Sequence, residues 1–176
     1  QAAAVMSWNT GGGQASVRES RQLYVLGEVF SNRLLDAMRE KFGASYAPQV
    51  YSSWPLDFPG GGAVTAMTTL DPGKVPMFFT TAQEIAADLA AKPVSADELT
   101  RVVEPLRQTV TRASTGAAFF MGQLDGATQD PSRYQSLRTL LGDYTRISPA
   151  ELQALAARYL KPESSWRLAV VPEAKK

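Results

Sequence analysis

SNRLLDAMREKFGASYAPQVYSS, residues 31–53, holds a helix, a turn and a strand in one run. Leu34, Leu35 and Met38 recur at helical spacing and point to a core. Arg39, Glu40 and Lys41 end the helix, where cations suit the negative pole of its dipole. Gly43 is the natural residue just past the last turn, because it takes positive φ without penalty. After it the side chains alternate: Tyr46, Pro48, Val50 and Ser52 share one face of a strand, Ala47, Gln49, Tyr51 and Ser53 the other. A guanidinium, Arg39, and a phenol, Tyr46, thus leave two different elements at one corner.

Working outward from that corner, the preceding segment from about Val17 carries Leu23, Leu26, Phe30 and Leu34 on one helical face. Gly27 and the Ser31-Asn32 pair are expected to break it in two, with Ser31 as the second N-cap. Ala2 to Trp8 reads as an apolar strand, and Thr10 to Gly13 as a flexible break. No G-x-x-x-x-G-K-[ST] follows, so the glycines are not a phosphate loop. On the other side, WPLDFPGGG (54–62) is a Pro/Gly-rich turn, with Trp54 and Phe58 as loop anchors or an exposed contact surface. AVTAMTTL (63–70) is a β-branched strand hairpinned to the one before. Pro48 suits an edge or an irregular start, since it cannot donate to a ladder.

The remainder is helical. Asp71-Pro72 opens a helix with Val75, Phe78, Phe79, Ala82, Ile85, Ala86 and Leu89 in one stripe. Ser95-Ala96-Asp97-Glu98 is a capping box before Leu99, Val102, Val103, Leu106 and Val110, and Pro105 is expected to kink that helix. Ala117 to about Ala127 forms a short helix with Phe119, Phe120 and Met121 expected in the core. Asp130-Pro131 starts another, with Tyr134, Leu137 and Leu141 at helical spacing. Ser148-Pro149-Ala150-Glu151 is a second capping box, leading Leu152, Leu155, Ala156 and Tyr159 inward. WRLAVV (166–171) is a last strand. Strands early and helices late predict an α+β fold: a mixed or antiparallel sheet of about four strands with helices packed on one face. One domain over residues 1–172 and a charged tail over 173–176 account for the chain. With no Met before Gln1, it is expected to be a mature or excised piece of something longer.

Composition narrows the chemistry. The 176 residues suit one domain with a full core. A net charge of +1 gives no basic field for nucleic acid or acidic membranes. No run of about 18 apolar residues is present, so no helix is expected to span a membrane. Cysteine and histidine are both absent, which removes thiolate nucleophiles, Ser-His-Asp triads and His- or Cys-bound zinc from this chain. Asp125, Asp130 and Asp143 match no calcium loop and read as caps or solvated faces.

The run LLDAMREKFGASYA resembles the R-E-K-x-G-x-x-Y signature of the insulinase/pitrilysin-type zinc metallopeptidases, and in particular their second, C-terminal domain. Three further pieces fall in the same order: Asn32-Arg33-Leu34 before the signature, SADEL (95–99) after the sheet, and ISPAELQALAARYL (147–160) before the last strand. The resemblance covers nearly the whole chain. It implies one half of a clam-like pair of α+β domains, whose other half carries H-x-x-E-H and the catalytic zinc. Residue by residue, it implies that Arg39 and Tyr46 complete that site from across the chamber. Tyr46 would donate to the scissile carbonyl oxygen as it gains charge, and Arg39 would hold the substrate backbone or the geometry of the pair. Without the resemblance, Arg39 is an ordinary solvated helix end and Tyr46 a half-buried strand residue. Pro48 departs from the family's usual run after the tyrosine.

Two functions follow as expectations. One is the substrate-chamber domain of a zinc metalloendopeptidase, with zinc in a partner domain or chain, none here, and a peptide as substrate. An extended peptide would add to a free sheet edge. The other is a catalytically inactive structural or interaction module of the same fold. A small-molecule binder on the helix-covered sheet is a weaker third. A bacterial periplasm or cell envelope is the expected compartment.

Overall fold

Ala2, Ala4, Met6 and Trp8 alternate along the first strand and are all buried, because one face of the sheet they belong to is roofed by helices. The computed structural model describes residues 1–42 and 47–173. Its elements are β1 (Ala2–Gly11), α1 (Val17–Phe42), β2 (Gln49–Ser53), β3 (Gly60–Leu70), α2 (Val75–Ala91), α3 (Ala96–Ala113), α4 (Ala117–Leu124), α5 (Ser132–Thr145), α6 (Pro149–Tyr159) and β4 (Ser165–Val170). The four strands lie in the order β2-β3-β1-β4, and every neighbouring pair is antiparallel. This is the predicted α+β architecture. The chain's first strand is central, and its last strand forms one edge.

Helix α1 supplies the largest part of the roof. Leu23, Leu26, Phe30, Leu34 and Met38 are buried at helical spacing, and Phe30 meets Trp8 with ring centroids 5.7 Å apart. Each such side chain contributes roughly 1.5–3 kcal/mol of burial. The helix runs unbroken from Val17 to Phe42, so the expected interruption at Gly27 and Ser31 does not occur. Both residues serve a different purpose: they form the seam with β2. A Cβ on Gly27 would lie 3.8 Å from the Ser52 backbone nitrogen, and Val50 N–H donates to Ser31 Oγ at 3.2 Å. A small residue and a hydroxyl here let helix and strand lie close together.

The two capping boxes form as expected. Ser95 accepts from Glu98 N–H at 3.1 Å while its own N–H donates to the Glu98 carboxylate at 3.0 Å, and Ser148 and Glu151 do the same. Helix α3 continues through Pro105. Trp54 is a loop anchor: its indole N–H donates to Gly13 O at 3.0 Å. In the same corner β1 and β3 approach so closely that a Cβ on Gly62 would lie 2.3 Å from Gly11 O, which is why both strands carry glycine there. A second expectation is overturned as well. Helix α4 has no buried residue, and Phe120, Met121, Tyr134 and Leu141 are exposed. Helical periodicity alone cannot distinguish an apolar stripe facing the core from one facing outward.

Candidate functional site

The helices cover one face of the sheet and leave the other open. The strand register fixes what that open face presents. One row across all four strands reads Tyr51, Thr65, Ser7 and Trp166; the next reads Gln49, Met67, Val5 and Leu168; a third runs Thr69, Ala3 and Val170. Ser7 and Thr65 share a hydrogen bond of 2.8 Å at the centre, and Ser7 Oγ also lies 3.3 Å from Val64 O. Aromatic rings flank that pair on both sheet edges: Tyr51 is 49% and Trp166 47% exposed. Leu168 and Val170 extend the apolar surface along β4 and are about half exposed as well.

Strand β4 shows why its large side chains face out. Its inner side carries Arg167 and Ala169, opposite Met6 and Ala4. The Arg167 guanidinium lies over the Phe79 ring, 5.7 Å from its centroid. The apolar trio Trp166, Leu168 and Val170 therefore turns away from the helices. The sequence contains this signal, since an arginine alternating with apolar residues at a sheet edge cannot place both faces in a core, but period-2 alternation does not say which face is roofed.

Arg39 lies in the last turn of α1 and is exposed. Among the described residues it has no ion-pair partner; the pairing with Asp36 or Glu40 that its position allows does not form. It lines a cleft of about 340 Å³ walled by α1 and α3, together with Asn32, Arg33, Asp36, Glu98 and Arg101. Tyr46 lies outside the described residues, so its distance from Arg39 is not described.

The fixed charge in this cleft is Arg33. Its Nε and Nη2 donate to the two oxygens of Glu98 at 2.7 and 3.1 Å, and its Nη1 donates to Asp88 at 2.8 Å. One guanidinium thus ties α1 to both α2 and α3. Arg33, with help from the Ser95 N–H, holds the Glu98 carboxyl down at about 2, and Asp88, shared by Lys92 and Arg33, is lowered too. A second tie joins α1 to α5 and α6. Buried Arg21 pairs with buried Asp143 at 2.5 Å, and Arg18 bridges Asp143 at 3.3 Å and Glu151 at 2.8 Å. Sequence reasoning passed over Arg21 and took Asp143 for a cap or a solvated group.

These residues do not suit a catalytic metal. Histidine and cysteine are absent from the chain, and no group of three His, Cys, Asp or Glu able to hold an ion occurs among the described residues.

No family model and no curated protein matches the sequence. Solved structures do match the fold. A proposed zinc protease from Bordetella pertussis Tohama I superposes with a TM-score of 0.79 at 16% identity, over 98% of this chain and 95% of that one. The peptidase M16 inactive domain from Pseudomonas fluorescens gives 0.75 at 15% identity, over 99% of this chain and 42% of that one. The periplasmic protease PqqL from Escherichia coli gives 0.77 at 14% identity, over 98% of this chain and 19% of that one. The chain thus spans nearly all of one relative and less than half of the other two. Its four-stranded sheet roofed by helices is the fold of the M16 peptidase domains, the insulinase/pitrilysin type whose signature residues 34–47 resemble.

Proposed function

We propose that this chain is a non-catalytic peptidase-fold domain that binds extended polypeptide, or a companion domain, on the open face of its sheet. The observation that carries the reading is the row Tyr51, Thr65, Ser7, Trp166. Two half-exposed aromatic rings flank a central, buried hydroxyl pair, with Leu168 and Val170 alongside. Several large apolar side chains exposed on one sheet face mark a contact surface. The likeness to an M16 inactive domain supports a module that has no catalysis of its own. The test is a hydrogen-exchange footprint of the chain with reduced, unfolded casein as the probe. Protection concentrated on β1 and β4, lost in Trp166→Ala with Leu168→Lys, supports the reading. Protection confined to the helical side overturns it.

A second reading adds a catalytic contribution. Exposed and unpaired among the described residues, Arg39 stands at the end of α1, next to the segment that bears Tyr46. In an assembly with a zinc-bearing partner domain, Tyr46 would donate to a peptide carbonyl oxygen and Arg39 would hold the peptide backbone. Tyr46→Phe in the complete assembly then lowers kcat about 10²-fold or more, the usual cost of one donor to an oxyanion, with the partner's zinc content unchanged. Unchanged kcat removes Tyr46 from the reaction. The likeness to a periplasmic protease supports placement in a bacterial periplasm; no helix among the described residues is long and apolar enough to cross a membrane.

A further inference from the structure

The sheet is almost free of charge. The chain as a whole is 20% charged, yet among the described residues β1, β2, β3 and β4 hold one charged side chain, Arg167. It faces the helices, over the Phe79 ring. The three rows of the open face, and a fourth that reads Ser53, Ala63 and Asn9, contain no charge at all. A solvated sheet face ordinarily places polar residues outward, and an edge strand is ordinarily defended by lysine or another charge. Strand β4 uses neither device: its outward residues are Trp166, Leu168 and Val170.

The uncharged groups are sorted across the face. The β4 side is apolar. On the β2 side Gln49, Tyr51 and Thr69 are exposed, and their side chains have no hydrogen-bond partner among the described residues. Neutral donors and acceptors match the N–H and C=O groups of a peptide backbone, while the apolar side matches uncharged side chains. A lysine or glutamate laid on this face would lose water and meet no counter-charge. Desolvating an unpaired charge is costly, so the face discriminates by rejection as well as by attraction.

We infer that the open face selects extended polypeptide segments with uncharged side chains and excludes segments that bear a charge of either sign. The inference rests on the polypeptide-binding reading above and names the substrate class of that same surface. The test is calorimetric titration of the chain with three peptides of about ten residues, acetylated and amidated so that their ends are neutral. One is built from Ser, Thr, Val, Leu and Tyr; the other two carry a single central Lys or a single central Glu. The neutral peptide is expected to bind about tenfold more tightly than either, roughly 1.4 kcal/mol, with little dependence on salt because no ion pair forms. Leu168→Glu is expected to raise affinity for the Lys peptide and to weaken the Glu peptide further, whereas loss of packing alone would weaken all three alike. Equal binding of the three peptides, lost in Trp166→Ala, overturns the selectivity and leaves the polypeptide-binding reading intact. A Lys peptide that gains nothing from Leu168→Glu overturns the selectivity in the same way. No binding of any peptide overturns both. A dimer in sedimentation equilibrium that Leu168→Glu dissociates, with no peptide bound, gives the face to a second copy and overturns both as well.

Discussion

At the scale of single residues, three arginines on α1 tie it to other helices: Arg33 to α2 and α3, Arg21 to α5, and Arg18 to α5 and α6. Asp143→Ala leaves the Arg21 guanidinium charged in a buried site, and truncating one partner of such a pair costs about 3–5 kcal/mol; urea denaturation should show a loss of that size. Arg33→Ala removes charge-assisted bonds to Glu98 and Asp88, which are partly exposed, so a smaller loss of about 2 kcal/mol is expected. Its signature is in the pH dependence. The Glu98 carboxyl is held at about 2 in the folded chain against an ordinary 4.5. A lowered folded value stabilises above the unfolded value, and the gain is lost as pH falls from about 4.5 towards about 2. Stability measured down this window should fall more steeply in the wild type than in Arg33→Ala, and parallel curves would disprove the coupling. Arg33 was legible only as part of a resemblance. No local rule says that one side chain will reach carboxylates on two other helices, because those contacts are set by packing between segments distant in sequence.

At the scale of elements, the capping boxes and the β-branched run were legible because each is governed by residues within one turn of one another. The misreadings arose where a local signal had a tertiary use. Gly27 and Ser31 carry the marks of a helix break, yet they sit inside α1 as the seam with β2. Ser31→Ala leaves the Val50 N–H without its acceptor, a cost of about 1–3 kcal/mol if no water replaces it. The expected result is faster amide exchange along β2 with little change in β1; equal protection in both strands would show that the seam is unimportant. Phe120 and Met121 failed in the opposite sense. Their spacing is that of a core stripe, but α4 sits at the periphery, where no described residue buries them.

At the scale of the whole molecule, the sheet has one roofed face and one open face, and substitutions should divide accordingly. Phe30→Ala on the roofed side opens a cavity and costs about 3–5 kcal/mol. Leu168→Lys on the open side changes stability by about 0.5 kcal/mol or less, and thermal unfolding separates the two outcomes. A large loss in Leu168→Lys would mean that the open face is structural and not kept for a partner. The α+β class and the four strands were legible from the order of strands and helices. Which face would be left bare was not, since alternation along a strand is symmetric with respect to the two sides of a sheet.

The position of β1 has a consequence for how the polypeptide comes into being. Its ladder with β4 joins Ala3 to Val170 and Trp8 to Ser165, so one margin of this strand waits for a segment that the ribosome delivers only after helices α1 to α6. Until then a nascent chain offers an open hydrogen-bonding margin to other nascent chains, and closing so long a loop is slow. A chain stopped before Ser165 should therefore collect in inclusion bodies, and supplying residues 161–173 as a separate peptide should recover part of it in soluble form.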